Sequence, residues 1–378
     1  MKKILIAFLG NTVYQETAYQ IEDKLYKSQL AFIPIYKHFS PVETVYVIGT
    51  KESRWEMLRD FSHKRIEIPY GRSESDFWKM FDILTNNLEL KNTDVIFDIT
   101  HCFRAIPIFT AIYIRLLRYI EPTAHFSHIF YGSFEKEQNI TPIVDLVSTL
   151  DLLDWIDATT SFIKYGELEE LSMKIKETND KIWKRNIIEK PIKLGEFSRS
   201  LERLSNLSRL TYVPLLSEAS KEMSELLNRA ELRDEIQRYV KPFSLLSDNL
   251  LGYTSRFVRP SFWESHLEAA KWYLENKRPT QSLLVLRETI LTLLCEKDGC
   301  DPYDLKSRDM REKELNEQRR FSKKPKPIVK LWGKITDARN RAGHALMKRI
   351  DKELSAYKAI REVAKLVEET EIILSKLP

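Results

Sequence analysis

The chain has 378 residues, with 60 Lys and Arg against 55 Asp and Glu (net charge +5), and is 43% hydrophobic and 30% charged. That is ordinary soluble globular composition, long enough for two or three domains, and no stretch approaches membrane-spanning length. The small, dispersed charge excess permits a nucleic-acid partner without demanding one, and Cys102, Cys295 and Cys300 form neither a disulfide framework nor a zinc spacing. The apolar run 4–9 behind Met1-Lys2-Lys3 is too short for a signal-peptide core, so a cytoplasmic protein without a membrane segment is expected.

Residues 3–9 (KILIAFL) form a short, continuous apolar run that Gly10 ends, which predicts a buried parallel strand. A segment of helical character is expected from Tyr14. Further strands are predicted at 45–48 (VYVI), 67–69, 94–98 (DVIFD) and 124–131. Helices are predicted around Trp55 to Leu58, over 77–88 and over 108–120. Alternating strand and helix imply a Rossmann-like α/β parallel sheet with helices on both faces. Ligands of such sheets bind beyond the C-terminal strand ends, here the loops at 10–12, 50–51, 100–104 and 131–134.

After Pro142 the strand signal disappears. Residues 144–156 read as a helix, and 161–253 as several amphipathic helices with polar joints. Pro260 marks a boundary. Helices over 264–276 and 280–294 follow, then a charged surface insertion at 302–327 and two last helical stretches, 328–338 and 345–377. The predicted division is a sheet domain at 1–157, an all-α connector at 158–260 and a C-terminal helical bundle at 261–378.

Three motifs carry chemistry. In Asp98-Ile99-Thr100-His101-Cys102-Phe103-Arg104, a buried strand ends before a helix start, and Thr, His, Arg and free backbone amides gather in a phosphate-binding arrangement. The plain alternative is a βα turn with Thr100 as helix cap. Gly10-Asn11-Thr12 faces the same edge. Gly10 allows close backbone approach and Asn11 and Thr12 offer polar contacts, but neither a dinucleotide fingerprint nor a Walker loop is present. Near the C-terminus, Arg339-Asn340-Arg341-Ala342-Gly343-His344 sets a guanidinium five residues before an imidazole. Arginine grips phosphate and histidine titrates near neutrality, so the pair suits phosphodiester cleavage.

FLGNTVYQETAY, DITHCFRAIP, IFYGSFE with the following TPIVDLVSTLDLLDW, and RNRAGH occur in this order. The set resembles the type III CRISPR-associated ribonucleases that join a CARF domain to a HEPN domain, in the branch with an Asp-x-Thr-His-Gly signature. The departure is Cys102, where that signature has glycine; a side chain there could narrow the backbone's approach to a ligand. The resemblance implies a dimerising, Rossmann-like CARF sheet. It would bind a cyclic oligoadenylate, with cyclic tetra-adenylate the first candidate, through Gly10, Asn11, Thr12, Thr100, His101, Cys102 and Arg104. It also implies a HEPN bundle that pairs with a second copy and cuts single-stranded RNA without a metal, using Arg339 and His344, with Asn340 fitting the pattern. No cofactor is expected beyond the activator.

Residues five apart on a helix point about 140° from each other, so Arg339 and His344 suit a site completed by a second chain unless Gly343 bends the helix. Asn340 and His344 share a face, which would let the amide orient the ring. The expected reaction is attack of the ribose 2′-hydroxyl on the adjacent phosphorus, giving a 2′,3′-cyclic phosphate. The competing readings are a non-catalytic sensor whose helices bind a partner, and a ring-cleaving activity in the CARF pocket itself. Arg287-Glu288 reads as an ion pair and the basic run 319–326 as a loop that could also guide RNA. His125 and His128 read as structural residues.

Overall fold

Lys2–Leu9 (β1) is buried on both faces because its side chains alternate between two cores. Ile4, Ile6 and Phe8 enter one, and Leu5, Ala7 and Leu9 the other. This is why the run is continuously apolar instead of alternating. In the computed structural model, residues 1–102, 106–135, 139–184, 189–344, 347 and 355–376 are described. The chain divides into two compact units, Met1–Asp154 and Trp155–Pro378.

The first unit holds β1, Thr17–Ile21 (β2), Lys24–Ser28 (β3), Phe32–His38 (α1), Thr44–Gly49 (β4), Lys64–Glu67 (β5) and Glu74–Asn87 (α2). Thr93–Asp98 (β6), Ile106–Ile120 (α3), His125–Gly132 (β7) and Ile140–Asp145 (β8) complete it. The strands form one eight-stranded sheet in the order β3-β2-β8-β7-β6-β1-β4-β5. β5, β4, β1, β6 and β7 are parallel, as a Rossmann-like domain requires. α2 and α3 supply core residues such as Met80, Leu84 and Ile114 to one face. α1 supplies Phe32 and Ile35 to the other. The chain winds outwards from β1 in both directions, so the order reverses between β1 and β6. The loops after these two strands leave to opposite faces and open a crevice between them.

The sheet is mixed, which corrects the expectation of a wholly parallel one. The segment after Tyr14 is not helical. It is the antiparallel hairpin β2–β3, closed by a two-residue turn with Glu22 at φ 51°. Thr17, Tyr19 and Ile21 are buried while Gln20 is exposed, which is a strand's period of two. β8 pairs antiparallel with β7 and parallel with β2. Pro142 reads as a break in sequence, yet its carbonyl accepts from Ser133 N–H at 3.0 Å. The helix expected around Trp55 is a 3-10 turn, Trp55–Leu58.

α3 is amphipathic in an unusual sense. Ile106, Tyr113, Ile114 and Leu117 face the core, while Ile108 (70% exposed), Ile112 (66%), Tyr119 and Ile120 line the outer side.

Leu150–Tyr165 (α4) opens the helical part of the chain. Glu169–Lys184 (α5), Lys193–Leu210 (α6), Val213–Leu227 (α7), Ala230–Tyr239 (α8), Lys241–Ser244 (α9) and Ser247–Phe257 (α10) follow. Then come Phe262–Glu275 (α11), Pro279–Lys297 (α12), Leu305–Phe321 (α13), Pro327–Gly343 (α14) and Ala356–Leu374 (α15). One core cluster runs from Trp155 to Leu374, so connector and C-terminal bundle share an interior. The charged stretch after Pro302 is the helix α13. Asp304 caps its first turn and Leu315 is its one buried residue among those described, so it lies on the surface as expected. No helix among the described residues is long and apolar enough to cross a membrane.

Candidate functional site

A cavity of about 390 Å³ lies beyond the C-terminal ends of β1, β6 and β7. Thr12, Thr100 and His101 line it, as do Tyr14, Tyr19 and Gln29 from the stretch misread as helical. Tyr131, Gly132 and Phe134, on the 131–134 loop expected at this edge, complete it. The described lining contains neither a carboxylate nor a Lys or Arg side chain.

Asp98 organises the floor. It is fully buried, and its Oδ1 accepts from Thr100 N–H at 3.0 Å and from Thr100 Oγ1. Thr100 Oγ1 in turn accepts from Gly132 N–H at 2.8 Å, tying the β6 and β7 loops together. Burial outweighs these bonds and pushes the Asp98 carboxyl up to about 6. Its Oδ2 has no partner among the described residues. Gly132 sits close to this bridge: an added Cβ would lie 3.0 Å from Thr100 Cγ2, so the Thr100 side chain would have to give by a few tenths of an ångström.

His101 Nε2 accepts from the backbone N–H of Ala31 at 3.0 Å, so the ring carries its proton on Nδ1 and is neutral. Burial lowers its pKa to about 4. His101 therefore offers the cavity a neutral ring edge, not a cation for phosphate. Tyr14 packs edge-on against this ring at 4.4 Å. Its hydroxyl accepts from Gly10 N–H at 2.7 Å.

The expected contacts are placed unequally. Thr12, Thr100 and His101 line the cavity, and exposed Asn11 precedes Thr12. Gly10 is buried, and its close approach is to Tyr14 Oη and the His101 carbonyl, not to an open ligand surface. Cys102 turns inward: its Sγ donates to the Ile99 carbonyl at 2.8 Å and packs on the sheet core. Burial pushes its thiol up to about 12. The side chain at the departing position thus does not narrow the cavity. Arg104 lies outside the described residues. The 50–51 loop is consumed internally: Thr50 N–H donates to Ser53 Oγ at 2.9 Å and Trp55 Nε1 to the Thr50 carbonyl at 2.8 Å.

The Arg-x-x-x-x-His motif occupies the end of α14, which runs unbroken past Ala338 to Gly343. Trp332 anchors that helix, fully buried, with Nε1 donating to Asn316 Oδ1 at 2.9 Å. Arg339 is half-buried. Its Nη1 donates to Asn340 Oδ1 at 3.1 Å, and its Nε is buried with no partner among the described residues. His344 is the exposed C-cap, and its N–H donates to the Asn340 carbonyl at 3.0 Å. The helix continues through Gly343 to that cap, so the backbone spacing that sets Arg339 and His344 about 140° apart applies up to its last residue. The Asn340 amide oxygen is engaged by Arg339. Arg341 pairs with Glu362 at 2.7 Å. A cavity of about 220 Å³ adjoins the motif, lined by Leu283, Ala338, Arg341, Ala342 and Ile360.

Arg287 is an ion-pair residue, held by Glu288 and Glu312 with its guanidinium over the Trp332 ring at 5.3 Å. His128 pairs with Asp145 at 2.7 Å and His125 with Asp94 at 3.1 Å, which gives both a place in strand pairing. Among the described residues no group of three His, Cys, Asp or Glu side chains gathers to hold a metal.

The family model for the second domain of the CRISPR-associated protein MJ1674 matches residues 151–251. The chain is 28% identical over 233 residues to the CRISPR-associated protein MJ1674 of Methanocaldococcus jannaschii, covering 61% of this chain and 33% of that protein. It thus spans about a third of that relative's length. A solved structure, Enterococcus italicus Csm6 bound to cyclic hexa-2′-fluoro-hexa-dAMP, aligns with a TM-score of 0.44 at 14% identity, over 99% of this chain and 93% of that one. In sequence the chain is thus similar to a CRISPR-associated protein, through residues 151–251 to the second-domain family model and over 233 residues to the whole relative.

Proposed function

We propose that the protein is a cyclic-oligoadenylate-activated endoribonuclease that cuts single-stranded RNA without a metal in CRISPR defence. The observation that carries this reading is the pairing, on one chain, of two half-sites. A cavity of about 390 Å³ takes on the order of one nucleotide, given that drug-sized pockets start near 300 Å³. A ring of several nucleotides then needs the same cavity from a second copy, and the exposed apolar side of α3 supplies a surface for that pairing. Arg339 and His344 diverge on α14 and become a usable set when two α14 ends meet.

The activator fits the residues present. Tyr14, Tyr19, Tyr131 and Phe134 offer faces for adenine, and Thr12, Thr100 and Gln29 offer donors for ribose and phosphate. When RNA lies between paired motifs, the 2′-hydroxyl attacks phosphorus and the P–O5′ bond breaks. The 2′ proton is removed, and the 5′ oxygen gains one as it leaves. Arg339 stabilises charge on the phosphoryl oxygens and His344 orients the hydroxyl or moves a proton.

The test is labelled single-stranded RNA with and without cyclic tetra-adenylate, in EDTA. Ligand-dependent cleavage that survives EDTA and disappears in His344→Ala, with ligand binding intact, is the expected result. Cleavage that needs a divalent ion, or none with the ring present, overturns the proposal.

A further inference from the structure

The run Arg319-Arg320-Phe321-Ser322-Lys323-Lys324-Pro325-Lys326 joins α13 to α14. Lys323, Lys324, Lys326 and Lys330 are exposed. Among the described residues none of the four has a carboxylate partner. Asp337 on α14 pairs with Arg319 at 2.7 Å, and on α15 Glu369 pairs with Lys334 at 2.8 Å and Glu362 with Arg341 at 2.7 Å. Those three acids are thus engaged with other cations, and the four lysines present their charges to solvent. Phe321, 72% exposed, stands beside them with the Arg320 guanidinium over its ring at 5.4 Å.

Helical register ties this surplus to the motif. Lys326 is the N-cap of α14 and His344 its C-cap. Eighteen residues separate them, which at 3.6 per turn is about five whole turns and ~27 Å. Lys330, Lys334, Asp337, Arg341 and His344 form one ridge, while Ile328, Leu331, Trp332 and Ile335 face the core.

We propose that this ridge is the entry track for single-stranded RNA. Its backbone is held by Lys323, Lys324, Lys326 and Lys330, one base stacks on Phe321, and a phosphate reaches His344. The track accommodates on the order of four to five nucleotides of extended strand, at the lower end of single-strand site sizes. The proposal rests on the ribonuclease reading above.

The experiment uses full-length His344→Ala protein, which holds RNA without cutting it, and compares it with the same protein carrying Lys→Ala at 323, 324, 326 and 330. Binding of a labelled single-stranded RNA is titrated at several salt concentrations. Loss of four phosphate contacts should lower the slope of log K against log salt by about 3, at ~0.7 per contact. Phe321→Ala should weaken single-strand binding about tenfold and leave duplex RNA unaffected. An unchanged affinity and salt slope in the quadruple variant, with its far-ultraviolet circular dichroism and Tm also unchanged, overturns the track. Equal loss on duplex RNA in Phe321→Ala overturns the stacking role. RNA cleavage that keeps its KM when the four Lys→Ala changes are placed in the wild-type chain, with His344 intact, sinks the track but leaves the ribonuclease reading standing. A wild-type chain that neither binds nor cuts RNA with activator present ends both.

Discussion

His101 Nε2 accepts the backbone N–H of Ala31 at 3.0 Å, so the loop after β6 is tied to the start of α1 across 70 residues. The bond fixes the tautomer and requires a neutral ring. A histidine whose folded-state pKa is lowered, here to about 4, binds its proton more weakly folded than unfolded. Its contribution to stability is present above pH 6.5 and is lost as pH falls from there towards 4. Asp98, raised to about 6, has the opposite sign: it favours the folded state increasingly as pH falls below 6. Removing the histidine should thus leave the aspartate's sign exposed. His101→Leu is expected to be less stable than wild type at pH 7.5, by about 1–2 kcal/mol for the lost acceptor of Ala31 N–H. The gap should narrow steadily towards pH 5. Urea unfolding across that range checks it, and a constant gap counts against the assignment.

Thr100 bridges Asp98 and Gly132 with one hydroxyl, donating to the first and accepting from the second. Thr100→Val keeps the shape and removes both bonds, leaving a buried carboxyl and a backbone N–H short of partners. A loss of about 2–4 kcal/mol is expected, with Thr100→Ser near wild type. Calorimetry of both variants decides it, and activator affinity measured by isothermal titration should fall in the valine variant.

Gly10 is tight for a specific reason. A Cβ there would stand 2.7 Å from Tyr14 Oη and 3.1 Å from the His101 carbonyl. Gly10→Ala should cost about 1–3 kcal/mol through overpacking. Tyr14→Phe removes the nearer obstacle, so the double variant should be less destabilised than the sum of the two single ones. A double-mutant cycle by denaturant unfolding measures this, and strict additivity would show that the clash is not the cause.

The outer side of α3 predicts an oligomeric phenotype. Ile108→Lys with Ile112→Lys places two charges on a face exposed within one chain, so the monomer's own core is untouched. Sedimentation should show a shift from dimer to monomer with little change in helix content. RNA cleavage should fall at least tenfold, because both proposed sites are completed by a second copy.

The sheet's parallel centre was legible because β1, β4 and β6 are short continuous apolar runs closed by glycine or a polar loop. That pattern has few alternatives. β2 and β3 were not legible, since their burial alternates within QETAYQIEDKLYKS, where polar residues and Lys/Glu content imitate a helix face. This cost the reading Tyr14, Tyr19 and Gln29, a third of the cavity's polar and aromatic wall. β8 was obscured by Pro142, which sits in a strand with its carbonyl and not its nitrogen in the pairing. At Cys102 the residue type was visible but its direction was not, because only packing turns Sγ towards Ile99. The C-terminal motif was visible as six letters. That α14 continues through it follows from the burial of Trp332 and Ile335, which no short motif contains.

An unbroken α14 through Gly343 also turns the four residues between Arg339 and His344 into a ruler. Their separation is set by backbone pitch and not by a loop that could stretch. Lengthening the interval by a single residue would carry the imidazole about 100° around the axis. Under the proposed function, every reactive group would survive such an insertion while the alignment proposed for a facing chain would be lost. The proposed site thus depends on the number of residues between Arg339 and His344 as much as on their kind.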